Sequence, residues 1–224
     1  MESKPAAQIL ADSAAALRKV KSFHVEATQR NGNKVSKVSA DLELPTKLRL
    51  AIQEAPKSAS IIGVDGSVYI KANEAYWKEQ QGGEAAAQLA DKWLKSPSST
   101  TALEDLTKGI DPQTLSDCLA KDHGTIEKGG TETVDGQEAV VLIDKGDRPG
   151  TTPGKLYVAA TGEPLPLRTI ATGNQRPGGS PDPRCDEDNR RARKGDEAKF
   201  GRYDESLDIK APPGAVEIGT GTSS

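Results

Sequence analysis

Lys37-Val38-Ser39-Ala40-Asp41-Leu42-Glu43-Leu44 and, after Pro45-Thr46, Lys47-Leu48-Arg49-Leu50-Ala51-Ile52-Gln53 are the stretch whose reading decides the fold. Val38, Ala40, Leu42 and Leu44 alternate with Lys37, Ser39, Asp41 and Glu43, and Leu48, Leu50 and Ile52 alternate with Lys47, Arg49 and Gln53. A period of two sends successive side chains to opposite faces, so each run is a strand with one buried and one wet face. Upstream, Phe23, Val25 and Ala27 alternate with His24, Glu26 and Thr28 in the same way. Downstream, Asp65-Gly66 parts Ile61-Ile62-Gly63-Val64 from Val68-Tyr69-Ile70-Lys71. Asp-Gly between apolar runs marks a tight hairpin, because both turn residues must accept positive φ. The strands are therefore expected to form a meander.

Before this sheet, Ala6, Ile9, Leu10, Ser13, Ala14, Leu17 and Val20 recur at three- and four-residue spacing, which gives a helix one narrow apolar face over residues 5–20. After it, Gly82-Gly83 closes the first half, and residues 84–95 read as a helix with Ala86, Leu89, Ala90 and Trp93 inward. Leu103 and Leu106 suggest a short helical turn, and Asp111-Pro112 is a cap with proline at the first helical position, leading into Leu115, Cys118 and Leu119. A second strand set begins near Gly124, with hairpins at Asp135-Gly136 and Thr161-Gly162-Glu163-Pro164 and a last strand from Lys199 to about Ile209. We expect one domain over residues 1–210, carrying an irregular charged insert at 173–197, and a flexible tail over 211–224. The insert, too long for an ordinary hairpin loop, is either functional or merely mobile.

With 34% hydrophobic and 28% charged residues and a mean hydropathy of -0.60, the chain suits a well-solvated surface around a modest core. The net charge of -3, with Lys and Arg dispersed among Asp and Glu, argues against nucleic acid as a partner. Met1-Glu2-Ser3-Lys4-Pro5 is polar and runs directly into the first helix. We expect an exported domain whose targeting segment has been removed. Cys118 and Cys185 are too few for a four-ligand zinc site. The expectation is a disulfide that fastens the insert to the third helix, the rival reading being two unrelated buried thiols.

Catalytic motifs are lacking: the sequence has no HExxH, Walker loop, GxSxG or strand-linked GxGxxG. His24 alternates onto the wet side and His123 sits at a helix-to-strand junction, so each reads as a surface or capping residue. Glu104-Asp105 and Asp186-Glu187-Asp188 read as solvated acids. Trp77, Trp93, Tyr69, Tyr76, Tyr157 and Tyr203 either line a binding surface or pack core edges. No enzyme, cofactor or metal is expected.

Helix, long meander, helices, second meander is the order of the LolA/LolB-like half-barrel, and the chain resembles most closely the LppX/LprA/LprF/LprG group of actinobacterial lipoproteins. The resemblance is carried by Ile9 to Val20 with Ser22-Phe23-His24-Val25, by Val64-Asp65-Gly66-Ser67-Val68-Tyr69-Ile70-Lys71 with Tyr76-Trp77, and by Leu103-Glu104-Asp105-Leu106. Thr161-Gly162-Glu163-Pro164-Leu165-Pro166, Phe200-Gly201-Arg202-Tyr203 and Leu207-Asp208-Ile209-Lys210-Ala211-Pro212 complete it. It implies an α+β fold, a strongly curved antiparallel sheet packed on a few helices. It also implies a lipid anchor, absent from this chain, on the outer leaflet of the cytoplasmic membrane facing the cell wall. The function it implies is that of a carrier or chaperone holding acyl chains of a lipid, lipoglycan or lipoprotein between sheet and helices.

On that reading Leu42, Leu44, Leu48, Leu50, Ile52, Val68 and Ile70, opposed by Leu89 and Trp93, line a hydrophobic cavity. Ala14-Ala15-Ala16 and Ala85-Ala86-Ala87 either leave volume over the sheet or let helices approach it closely. The alternative function is a ligand-free interaction or sensory module of the envelope that binds a protein partner.

Overall fold

A computed structural model of the chain describes residues 1, 3–96, 111–121, 123–178 and 192–217. In chain order the described elements are α1 (Ala6–Leu17), β1 (Ser22–Asn31), β2 (Lys34–Glu43), β3 (Lys47–Glu54), β4 (Lys57–Val64), β5 (Ser67–Ala72), α2 (Glu74–Gln81), α3 (Gly83–Leu89), β6 (Leu94–Ser96), α4 (Pro112–Lys121), β7 (Ile126–Val134), β8 (Gln137–Asp144), β9 (Gly154–Ala159), β10 (Pro166–Ala171), β11 (Glu197–Gly201) and β12 (Val216–Glu217). The α+β class and the open antiparallel sheet follow as read. The strand order is β12-β6-β5-β4-β3-β2-β1-β11-β10-β9-β8-β7. Neighbours from β2 to β6 and from β7 to β11 pair antiparallel, whereas β12 joins β6 in parallel. Both Asp-Gly turns carry two positive φ angles, at Asp65 and Gly66 (52° and 70°) and at Asp135 and Gly136 (48° and 86°), the backbone that matches the twist of a two-residue hairpin.

The chain divides into two compact units, each drawn from three stretches. In the first unit (Met1–Val20, Ala27–Gly32, Lys108–Gly201), Ile9 and Leu10 of α1 pack with Val140, Leu142, Leu156 and Val158 of β8 and β9, joined by Leu119 of α4. Val134, Ala139, Val141, Tyr157, Ala159 and Leu167 form a second core cluster. β8 and β9 are thus apolar on both faces, as their unbroken apolar runs require. Asp111 caps α4, its carboxylate accepting from the Thr114 N–H at 2.9 Å. α4 meets α1 closely: the Ser116 hydroxyl donates to the Ala14 carbonyl at 2.7 Å, and Arg18 pairs with Asp117. At Ala14, then, the small side chain brings helices together instead of leaving space.

The flanks of the insert are held in place. Gln175 N–H donates to the Ala192 carbonyl at 2.9 Å, and Lys194 N–H to Asn174 Oδ1 at 3.0 Å. Residues 179–191, Cys185 among them, lie outside the described residues, as do Leu103-Glu104-Asp105-Leu106. Cys118, on α4, is not a free thiol.

In the second unit (Lys21–Glu26, Asn33–Thr107, Arg202–Ser224), three expectations need correction. The predicted helix over 84–95 is split: α2 precedes it, α3 stops at Leu89, and Asp91 turns the backbone left-handed at φ 57° before β6 begins at Leu94. The last strand does not run to Ile209. It ends at Gly201, because Arg202 and Asp204 take positive φ (53° and 58°) and the Asp204 N–H bonds the Ser22 carbonyl. The expected flexible tail contains β12, where Val216 and Glu217 pair with Leu94 and Lys95 and the Val216 N–H donates to the Trp93 carbonyl at 2.9 Å. The edge of β6 offers unpaired backbone groups, and the tail supplies partners for them.

Candidate functional site

Register in the second unit sorts its side chains into two faces. Directly opposed residues share a face, so three rungs can be traced across the strands. One runs Leu42, Leu48, Gly63, Val68, Ser96; the next Ala40, Leu50, Ile61, Ile70, Leu94; the third Val38, Ile52, Ala59, Ala72. This is one continuous apolar face. It gathers Leu42, Leu48, Leu50, Ile52, Val68 and Ile70, six of the residues expected to line a cavity. Leu44 does not join them. It falls beyond the end of β2, is 39% exposed, and its N–H donates to the Lys21 carbonyl.

The helices α2 and α3 cover one end of this face. Asn73 starts α2, its side-chain oxygen accepting from the Tyr76 N–H at 3.0 Å and from Ser58 N–H at 3.2 Å, while its amide donates to the Pro56 carbonyl at 2.7 Å. That fixes α2 against the β3–β4 turn and sets Trp77 into a cluster with Ala59, Ala72, Ala86 and Leu94, against which Ile70, Tyr76 and Leu89 pack. Ala86 is fully buried, so here too alanine serves close approach. Leu89 meets the expected wall. Trp93 does not: it is partly buried and lies outside the cluster, and its neighbour Leu94, once the helix gives way to β6, takes the inward position.

Two features of this site escaped the sequence. Ile61 faces Leu50 and Ile70, but Ile61-Ile62 breaks the alternation, so only pairing tells which isoleucine turns in. Trp77 is 6% exposed and its indole Nε1 is buried without a hydrogen-bond partner among the described residues. An unsatisfied buried donor costs about 1–3 kcal/mol. Val38, Leu50, Ile52 and Ile61 are only half-buried, as is Ile70 at the margin of the α2–α3 cluster.

The opposite face holds a polar network. Asp41, 6% exposed, accepts from Arg49 Nε at 2.9 Å and meets His24 Nδ1 at 2.8 Å. Arg49 also donates to the Leu207 carbonyl at 3.2 Å, and Glu43 accepts from the Leu207 N–H at 3.3 Å. Burial works against ionisation of Asp41 more than any other single influence, but hydrogen bonds from Arg49 and His24 outweigh it and hold the carboxyl below the usual range. The other His24 nitrogen faces Glu26 at 3.6 Å. With carboxylates on both sides the imidazole ties β1 to β2, while Arg49 and Glu43 hold the Leu207 backbone. His24 thus lies on the wet face as read, partly exposed, with Asp41 and Glu26 as its partners. Among the described residues no group of three or more ligating side chains could hold a metal ion, and no helix is long and apolar enough to cross a membrane.

No family model matches the sequence, and no curated protein is a significant match. Solved structures do match. LprF from Mycobacterium bovis superposes with a TM-score of 0.60 at 14% identity, over 92% of this chain and 96% of that one. The Mycobacterium tuberculosis lipoprotein LppX gives 0.54 at 13% identity, over 91% of this chain and 98% of that one. The chain has the fold of LprF and LppX.

Proposed function

We propose that this chain is an exported, envelope-associated binding protein without catalytic activity, which holds the acyl chains of a lipid, lipoglycan or lipoprotein and acts as their carrier or chaperone. The observation that carries this reading is the apolar face of the second unit, on which Leu50, Ile52, Ile61 and Ile70 stand side by side and only half-buried. Apolar surface left in water is costly in proportion to its area, and contiguous apolar patches mark binding sites. The side chains of Leu50, Ile52, Ile61 and Ile70 offer a polar head group no partner, so affinity should come from the tails. Support also comes from the fold, shared with LprF and with LppX, which is a lipoprotein. Attachment to the outer leaflet through an N-terminal lipid, as the resemblance implies, belongs to the same proposal.

The test is binding of saturated fatty acids of increasing length to delipidated protein, followed by native mass spectrometry. Each methylene moved from water into the site should contribute about 0.8 kcal/mol, so affinity should climb steeply with chain length until the face is filled. A protein that carries no lipid after purification and accepts none, at any length, would rule out the carrier and leave the protein-binding module.

A further inference from the structure

Trp77 brings a strong donor into the apolar cluster of the second unit. Its ring packs with Ala59, Ala72, Ala86 and Leu94, whose side chains are hydrocarbon and offer no acceptor. Nearby carbonyls are engaged: that of Ala72 accepts from the Asp91 N–H and that of Ala86 from the Ala90 N–H, both at 2.9 Å. Tyr76 meets the indole edge-on, with centroids 5.4 Å apart and planes at 89°, a contact of rings that leaves Nε1 unpaired among the described residues. Buried indole N–H groups ordinarily find a partner.

The surroundings indicate what that partner is. Ile70 packs against the Trp77 cluster and also stands in the rung Leu50, Ile61, Ile70, Leu94. From Leu50 to Leu94 that rung crosses three strand spacings, about 14 Å. A tail laid along Leu50, Ile61 and Ile70 with its carbonyl end at Ile70 ends beside the Trp77 cluster. We propose that the Trp77 N–H donates to a carbonyl or ester oxygen of the bound lipid, so that the site selects acyl esters and acids over plain hydrocarbon of equal length. This rests on the acyl-binding reading above and deepens it: Trp77 is the specificity-determining residue.

The experiment compares methyl laurate with tetradecane, matched in length, on the wild type and on Trp77→Phe, which keeps an aromatic ring and removes the donor. The ratio of ester to hydrocarbon affinity should be roughly tenfold higher in the wild type than in Trp77→Phe, the worth of one neutral hydrogen bond. Trp77→Phe should weaken binding of the ester relative to that of tetradecane by this factor. Only two tryptophans are present, so the Trp77 indole proton is readily assigned by NMR and should move downfield with methyl laurate but not with tetradecane. The same ester-to-hydrocarbon ratio in the wild type and in Trp77→Phe, or an indole proton that methyl laurate leaves unmoved, overturns the inference while the acyl site stands. Binding of neither probe overturns both. If Trp77→Phe does not fold, the indole shift decides.

Discussion

Asp41 and Arg49 stand directly opposite one another on β2 and β3, and the guanidinium gives both its Nε and an Nη hydrogen to the same carboxylate oxygen, Oδ2. The other oxygen is left for His24. The pair lies on the polar face, yet Asp41 is 6% exposed, so its charge depends on these partners.

This pairing gives stability a pH dependence with a definite sign. The folded Asp41 carboxyl titrates below its ordinary range, so its contribution is present above about pH 4 and is lost as pH falls through the folded value. Urea midpoints measured from pH 7 down to pH 3 should fall for the wild type and fall less for Asp41→Asn. At pH 7 Arg49→Met should be the more damaging change, by about 2–3 kcal/mol, because it strands a buried carboxylate; the partial exposure of Arg49 holds the figure below that of a fully buried pair. Parallel pH profiles for the wild type and Asp41→Asn would show the carboxylate to be unlinked to folding.

Asn73 joins two structures at once, capping α2 and bonding the Ser58 N–H and Pro56 carbonyl at the β3–β4 turn. Loss of a cap costs about 1 kcal/mol, and the two turn bonds add to it, so Asn73→Ala should lose about 2 kcal/mol. Asn73→Asp keeps the acceptor and should lose less. Since Trp77 lies in the first turns of α2, tryptophan emission in Asn73→Ala should shift to the red as the helix end loosens. An unshifted spectrum with unchanged stability would mean that α2 is held by packing alone.

Cys118 and Cys185 are proposed to pair. In the chain-entropy model closing so long a loop stabilises by roughly 3–5 kcal/mol, less any strain. Intact mass after alkylation, with and without reductant, reads the outcome: no label before reduction and two labels after it. Two labels on protein recovered unreduced from an oxidising compartment would exclude the bond.

The meander was legible because its signals are local. Alternation through Leu42, Leu48 and Leu50 and the turns at Asp65-Gly66 and Asp135-Gly136 need no knowledge of distant residues. What escaped depends on pairing. Asp41 reads as one more wet-side charge until Arg49 is placed across from it. Ile61 and Ile62 are equivalent until Leu50 and Ile70 choose between them. The helix over 84–95 failed for a different reason: Ala86, Leu89, Ala90 and Trp93 keep helical spacing, but the open edge of β5 recruits Leu94-Lys95-Ser96 into the sheet, and tertiary pairing overrides local periodicity. The helix α2 was missed because only Tyr76 and Trp77, adjacent in sequence, supply large apolar side chains, which gives no period to read.

The half-covered and fully packed parts of the apolar face should answer differently to added volume. Ala86 is fully buried beneath Trp77. Ala86→Phe must displace that ring or the sheet behind it, at about 1–3 kcal/mol or more, and acyl binding should suffer only as far as the fold does. Ile61 is half-buried between Leu50 and Ile70, where a larger ring meets open space on one side. Ile61→Trp should therefore leave the thermal midpoint within a few degrees of wild type while it occupies the surface proposed for the tail, and lipid recovered by extraction and mass spectrometry should fall. Ile61→Asn tests the same position by polarity: it adds no volume, but it withdraws apolar area worth about 25 cal/mol per Å², so affinity should fall most for the longest chains. Reduced lipid recovery in Ala86→Phe alone, with both Ile61 variants binding normally, would place the acyl chains elsewhere on the molecule.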